Sequence, residues 1–203
     1  MVLEIGCGNN PSPEADVWVD LYPWDNLHRS HLDDLTILDR NRFICADLQH
    51  LPFKDKQFDK ILCRHVIEHV PSPTQACREM QRVARCGEME FPSLGTELFM
   101  SVRDPDRWNE THKWFVVVDG DNVVHFLDKK VGVLPIPFDS IPIVQFKPAE
   151  NMTFGWRDGF SCQEWIRVDQ VGGKESETEF LRAGTQRGDL ATGDAGQHQS
   201  GCG

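Results

Sequence analysis

Three carboxylates near the start of the chain stand where they could hold a ligand together. Leu3-Glu4-Ile5-Gly6-Cys7-Gly8-Asn9-Asn10 places an acid inside an apolar run and follows it at once with Gly-x-Gly. Glycines in such a turn adopt backbone angles other residues resist and let the main chain approach a ligand closely. Asp20 ends Trp18-Val19-Asp20-Leu21, a position from which a carboxylate can accept hydrogen bonds from both hydroxyls of a ribose. Asp47, in Cys45-Ala46-Asp47-Leu48, could accept from the exocyclic amine of an adenine. A pyrophosphate-binding turn wants a third glycine where this chain has Pro11, and Glu4 would repel a phosphate. The set therefore favours a cationic, phosphate-free adenosine derivative.

Two histidine groups offer other chemistry. His65-Val66-Ile67-Glu68-His69 has the HxxEH spacing that puts two metal ligands and a general base on one helical face in inverted zinc peptidases. That use needs a sustained helix and a further ligand downstream. The string instead follows the strand-like Ile61-Leu62-Cys63 and precedes Pro71 and Pro73, so no metal is expected. His112-Lys113-Trp114 reads as a packed Trp114 beside a solvated His112.

The elements that must position these residues alternate in an α/β pattern. Strands are expected at Val2 to Ile5, Asp16 to Val19, Phe43 to Ala46 and Phe58 to Cys63. A helix from Pro73 to Ala84 follows, with Ser72 placed to cap, Pro73 at its first position and Gly87 ending it before a fifth strand, Met89 to Phe91. The first two strands are joined by only about eleven residues containing Pro11 and Pro13, so the usual first helix should be reduced to a turn. Lys113 to Val118 and Val123 to Leu127, joined by Asp119-Gly120-Asp121-Asn122, predict a β-hairpin. Residues 1–130 are thus expected as the ligand-binding domain and 131–171, rich in proline, as an irregular C-terminal extension. Residues 172–203, glycine-rich and poor in apolar side chains, are expected to be a disordered tail.

Composition narrows the classes of partner. The 203 residues leave room for one ordinary domain with some extra, and the formal charge of -11 repels nucleic acid and anionic lipid alike. No apolar run is long enough to span a bilayer, and the chain starts on a strand rather than a secretory leader, so a cytoplasmic protein is expected. Seven cysteines without CxxC pairs read as free thiols.

The run of motifs from Val2 to about Ser93 resembles the class I S-adenosylmethionine-dependent methyltransferases, in particular the methyltransferase type 11 group. The resemblance is carried by Glu4-Ile5-Gly6-Cys7-Gly8, Val19-Asp20, Ala46-Asp47-Leu48, Leu51-Pro52-Phe53, Phe58-Asp59, His65-Val66-Ile67-Glu68-His69 and Arg82-Val83. It implies a Rossmann-like α/β fold, mostly parallel and closed by an antiparallel β-hairpin, with S-adenosyl-L-methionine as cofactor and methyl transfer as the reaction. Glu4, Gly6, Cys7, Gly8, Asp20, Leu21, Asp47, Leu48, Arg64 and His65 are the cofactor-binding residues it implies. The glycine turn would cradle the methionine end, and Asp20 and Asp47 would hold ribose and adenine. The acceptor is a small molecule or a protein, with His65 or His69 as the base if a hydroxyl or amine must lose a proton. The alternative is a degenerate methyltransferase-like domain that serves as a binding or scaffold module. Asn10 in place of the usual third small residue and the short first crossover are departures from the family pattern.

Overall fold

Short apolar runs bounded by turn residues build the centre of the molecule. In the computed structural model, which describes residues 1–24, 34–130, 138–167 and 180–186, β1 (Val2–Ile5), β2 (Val17–Asp20), β3 (Phe43–Cys45), β4 (Phe58–Arg64) and β5 (Ala84–Pro92) run parallel. Leu3, Ile5, Val19, Ile61, Cys63, Met89 and Phe91 are all buried, as strands covered on both faces require. The sheet order is β3-β2-β1-β4-β5-β8, with β8 (Asn151–Arg157) antiparallel to β5. The strand order reverses between β1 and β4, so the loops leaving these two strands flank the crevice where open α/β sheets take their ligands.

This is the mostly parallel, Rossmann-like α/β sheet that the sequence predicts, but its closing strand is a different one. The hairpin β6 (Trp114–Val118) and β7 (Val124–Asp128) does not pair with β5; it belongs to a second sheet of order β10-β9-β7-β6, with β9 (Cys162–Arg167) and β10 (Phe180–Gln186). Residues 151–157, expected in the irregular extension, complete the central sheet instead. Phe180–Gln186, expected in the disordered tail, pair with β9. The remainder of 172–203 lies outside the described residues, as do 131–137 of the proline-rich stretch. The rest of that stretch holds two 3₁₀ turns, Phe138–Ser140 and Ile143–Phe146.

Helix α1 (Pro73–Val83) begins as expected, with Pro73 at its start and Ser72 before it, although the Ser72 side chain makes no capping hydrogen bond. It packs Ala76, Cys77, Met80 and Val83 into the core and ends at Ala84, not at Gly87. Gly87 sits inside β5, where an added Cβ would stand 2.4 Å from both Ile61 Cγ2 and Trp156 Cη2. Its role is close packing rather than helix termination. Helices α2 (Leu94–Arg103) and α3 (Pro105–Thr111) were not expected. In α2 only Leu94 and Glu97 are buried, while Leu98, Phe99 and Val102 are exposed, so no apolar stripe marks it in the sequence. Its start is a side-chain cap, the Ser93 hydroxyl accepting from the Thr96 N–H at 3.1 Å.

No helix separates β1 from β2, as the short prolyl crossover predicts. Cys7, Cys45, Cys63, Cys77 and Cys162 are free thiols, whereas Cys86 is disulfide-bonded, which corrects the expectation for that residue. Among the described residues no helix is long and apolar enough to cross a membrane.

Candidate active site

The turn after β1 is held open by its glycines. Gly6 and Gly8 have φ of +66° and +54°, and an added Cβ on Gly6 would meet Val66 Cγ2 at 2.1 Å. The Gly6 N–H donates to the Val19 carbonyl at 2.8 Å, which ties the turn to β2. The Gly8 N–H donates to Asp20 Oδ2 at 3.1 Å, and the Tyr22 N–H donates to Asp20 Oδ1 at 2.9 Å. A single carboxylate at the end of β2 therefore fixes both loops beside it.

Asp47, just past β3, accepts from the Gln49 main-chain N–H at 2.8 Å, and the Gln49 amide donates to both carboxylate oxygens at 3.2 and 3.1 Å. The Gln49 Oε1 in turn accepts from the Ser72 N–H at 2.9 Å, linking the Asp47 loop to the start of α1. At the end of β4, His65 takes a φ of +53°, a strained value for a non-glycine residue. Its N–H donates to the Glu90 carbonyl at 2.8 Å, and its Nε2 lies 3.0 Å from Glu90 Oε1. Glu68, with Oε1 3.4 Å from His65 Nδ1, and then Glu90 raise the His65 pKa above its ordinary value despite the desolvation that opposes them. Cys7 is pushed up to about 12, by burial first and then by the Asp20 and Glu4 charges, so it stays a neutral thiol.

These loops enclose one cavity of about 610 Å³, a size typical of small-molecule sites. Gly6, Cys7, Gly8, Asp20, Leu21, Asp47, Leu48, Arg64 and His65 all line it. Asp20, Asp47, Glu90 and Glu110 set four carboxylates on its wall against the cations Arg64 and Lys113, a balance that suits a positively charged guest. Glu4 is the exception to the expected set. It is 1% exposed, does not line the cavity, and points beneath the turn, where it accepts from the Ser12 N–H at 2.6 Å and pairs with Arg64. Arg64 also donates to the Asn10 carbonyl at 3.2 Å. Glu4 and Arg64 thus brace the loop that stands where a first helix would otherwise be.

Gln49, Tyr22, Glu90 and Glu110 line the cavity without having been singled out in the sequence, and Lys113 of the His112-Lys113-Trp114 string lines it too. Glu90 carried a legible signal, an acid near the end of a strand beside the crevice; Tyr22 and Gln49 lie on loops with no motif, and Glu110 lies in the unexpected helix α3. The HxxEH segment is not helical, since residues 67–69 form a turn. His112, expected in solvent, is 7% exposed, stacked on Trp108 with ring centroids 4.0 Å apart. Trp114 is packed as expected, its indole N–H donating to the Val70 carbonyl at 2.8 Å.

The reversed strand order, the glycine turn and the acids at the ends of β2 and β3 give a Rossmann-like ligand crevice consistent with a class I methyltransferase. Sequence comparison points the same way: residues 3–88 match the model of the methyltransferase domain family of type 11. A protein of Methanocaldococcus jannaschii described as uncharacterized is 46% identical over 90 residues, 42% of this chain and 36% of that protein. A malonyl-[acyl-carrier protein] O-methyltransferase of Methylovorus is 26% identical over 125 residues, 55% of this chain and 42% of that protein. The chain spans less than half the length of the curated relatives it matches. Among solved structures, a SAM-dependent methyltransferase of Thermotoga maritima aligns at a TM-score of 0.44 and 18% identity, covering 56% of each chain.

Proposed function

We propose that the cavity binds S-adenosylmethionine and that the chain transfers its methyl group to a small-molecule or protein acceptor. The observation that carries this reading is the convergence of the Gly6–Gly8 turn, Asp20 and Asp47 on one acid-lined cavity. The fit is supported locally, because a Cβ on Gly8 would meet nothing nearer than the Gly6 carbonyl oxygen at 3.8 Å, leaving the turn open on that side.

In this reading Gly6, Cys7 and Gly8 hold the methionine end, Asp20 and Leu21 the ribose, and Asp47 and Leu48 the adenine. Arg64 and His65 form the wall between them, and Glu4 acts indirectly by holding Arg64. When bound, S-adenosylmethionine supplies a methyl group already activated on a sulfonium, so the protein's task is to align donor and acceptor and exclude water. His65, whose pKa the neighbouring Glu68 and Glu90 raise, holds Glu90 through Nε2; His65 or His69 is the base in this reading if the acceptor must lose a proton. The strong negative charge disfavours a nucleic-acid acceptor. Among the described residues five cysteines are free thiols and Cys86 is disulfide-bonded; the free majority supports our reading of the chain as cytoplasmic.

Calorimetry with S-adenosylmethionine and S-adenosylhomocysteine tests the reading. Both should bind, and Asp20→Ala and Asp47→Ala should each weaken binding by about 1–3 kcal/mol through lost charge-assisted hydrogen bonds. Absence of binding by both ligands would leave only a scaffold domain, and unaltered affinity in both variants would mean that the ligand lies elsewhere.

A further inference from the structure

Most charged groups on the cavity wall are already committed. Asp20 accepts from the Gly8 and Tyr22 N–H groups, Asp47 from the main chain and amide of Gln49, and Arg64 pairs with the buried Glu4. Glu110 and Lys113 offset one another in charge. Glu90 remains, near the end of β5, with its side chain 33% exposed. Its Oε1 accepts from the Asn151 amide at 3.0 Å and lies 3.0 Å from His65 Nε2. Among the described residues no donor reaches its Oε2.

The two groups that hold Oε1 come from different strands. Asn151 opens β8, which the antiparallel register sets beside β5 with Thr153 opposite Glu90. His65 leaves β4 with a φ of +53°, and its main-chain N–H donates to the Glu90 carbonyl at 2.8 Å, so one strained residue grips Glu90 by both main chain and side chain. Glu68 faces the other ring nitrogen of His65 at 3.4 Å and braces the imidazole from behind. Strain retained on a cavity wall, together with a carboxylate held by one oxygen and open at the other, marks a binding group rather than a packing one. Glu90 and Asn151 both lie beyond residues 3–88, so the family match does not account for them.

An open carboxylate oxygen calls for a donor. An alcohol would gain the hydrogen bond alone, and a carboxylate would be repelled. An ammonium gains the hydrogen bond and the opposite charge together, in a cavity where water screens less than in bulk. We propose that Glu90 binds the methyl acceptor and that this acceptor is a small amine, held as its ammonium on Oε2. His65 and Asn151 are positioning residues that aim that oxygen. For transfer the ammonium gives one proton to the histidine base and thence to water. The nitrogen lone pair then takes the methyl carbon as the carbon–sulfur bond breaks and its electron pair returns to sulfur, leaving a methylated ammonium and S-adenosylhomocysteine.

The proposal rests on the cofactor reading of the same cavity, so the full chain is first titrated with S-adenosylhomocysteine and then, saturated with it, with compounds matched in shape: benzylamine, benzyl alcohol and benzoate, and butylamine, butanol and butyrate. Each amine should bind about tenfold or more tightly than its alcohol and carboxylate counterparts. Glu90→Gln, which keeps the side-chain shape, should weaken amine binding by about tenfold and leave the alcohols and S-adenosylhomocysteine unaffected. Asn151→Ala should reduce the amine preference, a ratio that a purely structural role would not move. Glu88→Gln, two residues back on β5, where Glu88 pairs with Lys60 away from the cavity, should leave the preference intact. With S-adenosylmethionine, mass spectrometry should find one methyl group added to a bound amine. A chain that binds S-adenosylhomocysteine but shows no amine preference, or a preference that survives Glu90→Gln, would overturn the proposal. Failure of the native chain to bind S-adenosylhomocysteine would instead sink the cofactor reading, a result read before any amine is added.

Discussion

Gly6 and Gly8 share a left-handed backbone yet differ in their surroundings, and the difference makes a prediction. Alanine at Gly8 meets nothing nearer than the Gly6 carbonyl oxygen at 3.8 Å, so its cost to folding is the conformational strain of about 1–2 kcal/mol. Alanine at Gly6 adds a collision with Val66 Cγ2, which brings a further overpacking cost of about 1–3 kcal/mol and must shift the turn or the His65 segment. Urea unfolding and S-adenosylhomocysteine titration should therefore rank Gly6→Ala well below Gly8→Ala in both stability and affinity; equal losses would show that the Val66 contact is easily relieved. At this scale the sequence was informative where a residue type has few uses, as with paired glycines in a turn or an acid ending a strand. It misled at Glu4, because the partner that turns that carboxylate away from the cavity, Arg64, is sixty residues away. It was silent on Gln49, whose hold on Asp47 depends on a loop geometry that no local pattern encodes.

The hairpin turn between β6 and β7 is organised by one side chain. Asp119 Oδ1 accepts from the Asp121 and Val123 N–H groups, both at 2.9 Å, and Oδ2 lies 2.8 Å from His125 Nε2. Asp119→Ala should cost about 1–3 kcal/mol, read as a fall in urea midpoint. Burial pushes the Asp119 pKa up, but His125 and the two N–H groups more than reverse this and hold it below the ordinary value. A depressed folded pKa stabilises the fold fully above the unfolded value and less as acid protonates the group. The stability gap between the native chain and Asp119→Asn should thus persist at neutral pH and narrow only below about pH 4; a gap that closes between pH 6 and 8 would place the effect on another group. The turn itself was legible, since Asp-Gly-Asp-Asn has few other uses. Its sheet was not, because Val124–Asp128 gives no local sign that its second neighbour is β9 rather than β5.

The parallel core could be read from the alternation of apolar runs, but its last strand could not. In β8 the buried Phe154 and Trp156 alternate with the exposed Asn151, Thr153, Gly155 and Arg157, a period of two that was available in the sequence and masked by the prolines before it and the glycine within it. A chain ending at Pro148 should lose β8, β9 and β10, leaving β5 and β7 as bare edges and Met89 and Phe91 uncovered on the β8 side. Light scattering should show it associating where the full chain does not; a monodisperse shortened chain would mean that the edge is protected otherwise. The same connection bears on how the molecule is made. Because residues 93–150 intervene between β5 and β8, Phe91 cannot find Met152 until a long excursion has been threaded and its loop-closure entropy met. On the ribosome, the parallel strands emerge before β8 and wait with one side unsealed, so the open β5 edge is a hazard of synthesis that the finished sheet removes.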